Sequence, residues 1–219
     1  MNFYKQLLFI FLDMFNNNKE EYWENVHSKK SENEVSWFQK LPIDSIELIK
    51  SLNLNLDANI IDVGAGESRL VDNLIELGFS NIDVLDISKS AIEKAKQRLG
   101  KKSLGVNWIV SDINKFVPTK KYDLWHDRAA FHFLTSEKHI KNYISLASNY
   151  INDNGKLIIA SFSSNGPKKC SGLDVIKYSK ELIEKTFEDS FDINSHFISN
   201  HKTPFGTFQE FLFASFKKK

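Results

Sequence analysis

Two clusters of residues combine types and spacings that can do chemistry. The first is Ile60-Ile61-Asp62-Val63-Gly64-Ala65-Gly66-Glu67-Ser68. Its apolar start reads as a buried strand. The glycines let that strand turn sharply into a helix while a ligand lies against the backbone. Asp86 follows 20 residues after Gly66 and ends a second apolar run, with Ile87 beside it. An acid there can take a ribose diol in hydrogen bonds. Asp112 ends a third run next to Ile113. That pair is placed to receive an adenine amino group and to cover the ring. The second cluster is Tyr122-Asp123-Leu124-Trp125-His126-Asp127-Arg128-Ala129-Ala130-Phe131-His132-Phe133. Titratable groups packed this densely at the end of a strand mark a candidate site. Arg128 can favour an anionic nucleophile. His126 can serve as a general base near neutral pH, or it can orient and pack. Asp127 either joins this chemistry or pairs with Arg128 to hold the strand end. His132 falls on the next helix, where packing competes with a substrate contact.

The first cluster also separates nucleotide classes. A dinucleotide site wants G-x-G-x-x-G, but here Gly66 is followed by Glu67-Ser68-Arg69. Asp62 lies just before the loop, where a carboxylate repels a pyrophosphate but suits a ligand carrying an ammonium and a sulfonium. S-adenosylmethionine (SAM) has both and no phosphate, and its product is S-adenosylhomocysteine (SAH). Methyl transfer from a sulfonium is an in-line displacement that requires the nucleophile to be held opposite the departing sulfur. Aromatic faces attract a sulfonium, so Trp23 and Trp37 are candidates for the cofactor and Phe38 for the acceptor. His27 lies four residues after Trp23 and would share its helix face. Cys170, in the loop Lys168-Lys169-Cys170-Ser171-Gly172, is a further acceptor-side candidate.

A βα rhythm must position these groups. Apolar runs at 59–63, 82–86, 106–110, 122–126 and 156–160 alternate with helical periods at 68–77, 88–99 and 140–151. That alternation predicts a parallel sheet covered on both faces. A helix near Ser179–Phe187 and two consecutive strands, Asp192–Ile198 and Gln209–Phe216, predict an antiparallel C-terminal hairpin. The expectation is a Rossmann-like, doubly wound α/β fold of seven strands. Residues 1–19 read as an apolar extension, 20–58 as a helical lid and 59–219 as the catalytic domain. The run Leu7–Leu12 has one preceding Lys and no small-residue cleavage site, so it reads as a short helix or start-site extension rather than a signal peptide.

Composition bounds the function. The 219 residues carry 29 Lys and Arg against 28 Asp and Glu, a net charge of +1. That balance argues against a strongly basic nucleic-acid binder. One cysteine excludes an intrachain disulfide framework and a Cys-rich metal site, and makes a cytoplasmic, reducing compartment the default. No apolar run reaches 18 residues, so no membrane span is expected.

The segment from Asn59 to Ala160 resembles class I SAM-dependent methyltransferases. Their first motif is matched by Asp62-Val63-Gly64-Ala65-Gly66, with Ser68 in place of a third glycine. Asp86 corresponds to their ribose acid, Asp112-Ile113 to their adenine contact, and Gly155 to the glycine before their fifth strand. Tyr22-Trp23-Glu24-Asn25-Val26-His27 and Asp127-Arg128 are similar to thiol and thiopurine methyltransferases, as is Gly166-Pro167 with Ser171-Gly172. There the arginine lies near the substrate. His27 departs from the second aromatic usual in that group. The same aromatic start and Trp37-Phe38 also resemble the lysine methyltransferases of elongation factors, but Arg128-Ala129 stands where those carry Lys-Gly. No Asn-Pro-Pro-Tyr motif follows the fourth strand. The resemblance implies methylation of a small molecule, with sulfur favoured as acceptor. A protein lysine is the alternative, and a SAM-binding protein without catalysis is a third reading. Monomer and dimer both remain open.

Overall fold

The computed structural model describes residues 19–219. The apolar extension therefore falls outside the described residues, Lys19 excepted. Helix α1 runs to residue 29. A short 3-10 turn, Glu32–Glu34, leads through the Trp37-Phe38 segment into α2, Ile43–Ser51.

The strands β1 (Asn59–Val63), β2 (Asn81–Asp86), β3 (Val106–Val110), β4 (Tyr122–Arg128) and β5 (Ile151–Phe162) are parallel. Helices α3 (Leu70–Glu76), α4 (Lys89–Leu99) and α5 (Glu137–Tyr150) connect them. After α6 (Lys180–Phe187) the chain returns through β8 (Phe191–Lys202) and β9 (Phe208–Lys218). Both of these pair antiparallel, and the sheet order is β3-β2-β1-β4-β5-β9-β8. The order reverses between β1 and β4, which opens a crevice at the carboxyl ends of these two strands.

Near-continuous apolar strands are stable here because helices cover both faces. One layer gathers Trp125, Phe131, Tyr143, Phe187 and Phe216. The other gathers Ile60, Leu74, Ile92, Phe162, Phe211 and Phe213. Each such side chain contributes about 1.5–3 kcal/mol on full burial. Helix α4 shows the local logic. The Ser88 side chain caps its first turn by accepting from Ala91 N–H, and Ala91, Ile92, Ala95 and Leu99 form the buried face.

Three segments differ from the sequence expectation. Strand β5 begins at Ile151, so Gly155 lies inside it rather than before it. The hairpin strands extend to Lys202 and Phe208, through the polar run Ser199-Asn200-His201-Lys202. Backbone pairing to the turn carries them, closed by Thr203 N–H donating to Thr207 O at 2.8 Å. The loop after β5 contains a small two-stranded turn, β6 (Lys169–Cys170) with β7 (Leu173–Asp174).

Helix α1 is held over the carboxyl edge by side chains. Glu24 accepts from Ser88 Oγ at 2.8 Å and Ser90 N–H at 3.0 Å, at the N-terminus of α4. Lys94 Nζ, on α4, donates to the carbonyls of His27 and Lys30, the last turn of α1. Tyr22 Oη donates to Ser171 O in the β6–β7 turn. Among the described residues no helix is long and apolar enough to cross a membrane.

Candidate active site

One cavity lies at the switch point, between the β1, β2 and β4 ends below and α1 with the Trp37 segment above. The loop after β1 can form only with glycines. Gly64 has φ +63°, and a Cβ on it would lie 2.3 Å from Ala130 Cβ. Gly66 has φ +56°, and its Cβ would lie 3.2 Å from His27 Cε1. The second strand then anchors this loop. Asp86 accepts from Gly66 N–H at 2.7 Å and from Ser88 N–H at 2.8 Å. Burial raises the Asp86 carboxyl above the usual range, against the pull of His27 and of these two N–H groups.

Further round the wall, Asp112 Oδ1 accepts from the backbone and side-chain nitrogens of Asn114, at 2.8 and 2.9 Å. Ala65, Ile87 and Ile113 line the same wall. Asp62 is 2% exposed. Its Oδ1 accepts from His126 Nδ1 at 2.7 Å, while Oδ2 has no partner. Two close-approach glycines, carboxylates with lone pairs to spare and an orphaned buried carboxylate oxygen suit a ligand with hydroxyls, an amino group and a cationic end.

The cover is aromatic. The ring of Trp23 packs edge-on against Trp37 at 5.8 Å and Phe133 at 5.0 Å, and lies 6.2 Å from His27. Phe38 also lines the cavity, with the Arg69 guanidinium 5.8 Å from its ring. The His27 imidazole sits against Gly66, with Nδ1 3.1 Å from Glu67 Oε1. That places His27 on the wall shared with Asp86, 6.1 Å from the Trp37 ring.

Strand alternation sends neighbouring residues of β4 to opposite faces. His126 and Arg128 face the cavity. Asp127 faces the opposite core layer and is fully buried. It accepts from Ala130 N–H at 3.1 Å, Phe131 N–H at 2.9 Å and Tyr143 Oη at 2.8 Å. Burial outweighs these bonds and lifts its carboxyl to about 6. Asp127 straps the turn after β4 and is not part of the cavity wall. It makes no ion pair with Arg128. His126 has both nitrogens engaged, by Asp62 and by Ser45 Oγ at 2.9 Å. A general base needs a free nitrogen, and this arrangement leaves none.

Arg128 is enclosed beneath the Trp37 segment. Nη1 donates to Trp37 O at 3.2 Å, and the guanidinium lies 4.7 Å from the Phe211 ring centroid. Nε and Nη2 have no partner. Burial lowers its pKa to about 10, with Asp44 acting against that shift, so it stays charged at neutral pH. Cys170 lines the same end, 4% exposed, and burial pushes its thiol up to about 12 despite the nearby Arg128. Such a thiol is inert at neutral pH. His132 lies in a 3-10 turn, Phe131–Phe133, fully buried and outside the cavity wall. Its acceptor-side placement therefore gives way to packing between Phe133 and Phe162, at ring distances of 4.6 and 4.8 Å. Ser45, Tyr143 and Phe211 carry no local sequence signal and were not foreseen at the site. Each meets its partner only through the fold.

Comparison with known proteins gives this arrangement a family. The family described as "Methyltransferase domain" matches residues 54–210. A malonyl-[acyl-carrier protein] O-methyltransferase of Ilyobacter polytropus is 31% identical over 132 residues, which cover 58% of this chain but only 48% of that protein. EEF1A lysine methyltransferase 2 of Danio rerio is 27% identical over 181 residues, 76% of either chain. The N-methyltransferase NodS of Bradyrhizobium japonicum, solved with SAH, superposes with a TM-score of 0.69 at 16% identity, covering 90% of this chain and 98% of that one. At that identity the likeness speaks for the fold. The chain belongs to the methyltransferase-domain family and spans less than half the length of the malonyl-[acyl-carrier protein] O-methyltransferases it matches.

Proposed function

We propose that this enzyme methylates a small-molecule nucleophile, a thiol or related soft atom, in a reducing cytoplasmic setting. The observation that supports this most is Arg128, a buried guanidinium with two unpartnered nitrogens at the acceptor end of the cavity. In this reading Asp62 takes the cofactor's ammonium and Asp86 its ribose. Asp112 takes the adenine amino group, with Ile87 and Ile113 against the ring. Gly64, Ala65 and Gly66 let the cofactor lie on the backbone. Residues 20–58 form the lid, with Trp23 and Trp37 shielding the sulfonium from water.

When bound, SAM supplies a methyl group on a sulfonium that departs as a neutral thioether. The nucleophile must therefore present an electron pair. No side chain at the acceptor end offers a free base, so the nucleophile has to arrive as an anion or lose its proton easily. A thiol ionises near pH 8.5, and an adjacent cation lowers that by about 1–3 units. Arg128 therefore offers a counter-charge to a thiolate, against the burial that keeps the neighbouring Cys170 thiol neutral. A carboxylate is ionised already and fits the same guanidinium. That accords with the O-methyltransferase named above.

The lysine-directed relative matches a larger share of both chains, which favours a protein amine as the second reading. An ammonium beside Arg128 meets like charge, although the Asp44 carboxylate acts on the same guanidinium. The test is SAH release from SAM with three acceptor pools: small thiols with hydrosulfide and selenide, small carboxylates, and a cell-protein extract. Release with the thiol pool is expected. It should fall in Arg128→Met while SAH affinity is retained. Release only with the extract overturns the small-molecule reading.

A further inference from the structure

We infer that Ser45 and His126 are positioning residues for the cofactor's ammonium, acting through Asp62. Three separate elements converge here: Ser45 on α2, His126 on β4 and Asp62 on β1. All three residues are 1–2% exposed. The chain of contacts runs Ser45 Oγ to His126 Nε2 at 2.9 Å, then His126 Nδ1 to Asp62 Oδ1 at 2.7 Å. An ionised carboxylate has no proton to give, so Nδ1–H is the donor to Asp62. The neutral imidazole then has Nε2 as an acceptor, and the Ser45 hydroxyl donates to it. Ser45 thus supports the tautomer that Asp62 requires and holds the ring in place, and the Nδ1–H contact spends one carboxylate oxygen.

Oδ2 is left over. It is buried, unpartnered, and belongs to a side chain in the cavity wall. A purely structural ion pair would satisfy both oxygens, because a buried lone pair without a donor costs free energy. The trio aims one open carboxylate oxygen at the ligand, which is what an ammonium with N–H donors requires. The assignment concerns the cofactor alone, so it stands or falls separately from the identity of the methyl acceptor.

Calorimetry with two ligands tests it: SAH, which carries the ammonium, and 5′-methylthioadenosine, which lacks the amino-acid moiety. In His126→Leu, SAH affinity should fall by about tenfold or more, since a hydrogen bond to a charged group is lost. Methylthioadenosine affinity should stay unchanged. His126→Asn places an amide N–H near the position of Nδ1–H and should restore most of the SAH affinity. Ser45→Ala should show the same ligand selectivity with a smaller loss, and it decides the question if His126→Leu does not fold. Equal weakening of both ligands, or unchanged SAH affinity in a folded variant, overturns the inference.

Discussion

Acid should destabilise the wild-type chain through His132, and His132→Phe should abolish that loss. His132 is fully buried between Phe133 and Phe162. Its Nδ1 accepts from Phe162 N–H at 3.4 Å, and Nε2 has no partner. Burial, with the positive charge of Arg128, lowers the imidazole pKa from 6.5 to about 3. The unfolded chain takes up a proton below about pH 6.5 that the folded chain refuses. The folded value is depressed for a base, so this contribution is complete above pH 6.5 and is lost as pH falls towards 3. At pH 5 the chain is about 1.5 units into that window, which amounts to a loss of about 2 kcal/mol. At pH 7 the loss is close to zero. For a chain of this size about 2 kcal/mol corresponds to roughly 4–8 °C in melting temperature. Urea titrations of wild type and His132→Phe at pH 7 and pH 5 measure it. The substitution has its own constant effect, so the informative quantity is the difference between the two pH-dependent drops. A wild-type drop exceeding the variant's by about 2 kcal/mol is expected. Parallel drops would refute the reasoning, because the imidazole would then take its proton inside the fold.

Gly64→Ala combines a left-handed φ with a Cβ 2.3 Å from Ala130 Cβ. It should cost about 1–3 kcal/mol in a urea titration and weaken SAH binding measured by calorimetry. Asp86→Ala frees the N–H groups of Gly66 and Ser88 as well as removing the proposed ribose acceptor. SAH affinity should fall by about tenfold or more, and an unchanged calorimetric constant would remove Asp86 from the cofactor site. Ala129 holds φ +67° without being glycine. Ala129→Gly should therefore raise stability by about 0.5–1 kcal/mol, read as a higher melting temperature. Tyr143→Phe leaves Asp127 Oδ2 and Trp125 Nε1 buried without their shared hydroxyl. It should cost about 2–4 kcal/mol in chemical denaturation, and a neutral result would show that water replaces the hydroxyl.

The sheet was legible because its cues are local. Apolar runs of five or six residues, the glycines after β1 and the Ser88 cap each act within a few positions. The hairpin's full length was not, since Ser199–Lys202 pair through backbone groups that any side chain leaves available. At the candidate site, the alternation of β4 already separates His126 and Arg128 from Asp127, but their roles depend on distant partners. Asp127 meets Tyr143, 16 residues on, only after α5 packs under the sheet. His126 meets Ser45, 81 residues away, across α2. The missing ion partner of Arg128 is equally invisible in sequence, because Asp127, its nearest acid along the chain, points to the other face.

The way α1 is fastened has a thermodynamic consequence. Glu24 binds the first turn of α4, Lys94 of α4 binds the last turn of α1, and His27 rests on Gly66. Helix α1 is therefore secured by the same loop and helix that shape the cavity wall. Two equilibria that share their contacts are reciprocally linked. Whatever factor the docked lid adds to cofactor affinity, the cofactor returns to lid docking. Amide protons of residues 19–29 should therefore exchange more slowly once SAH is present.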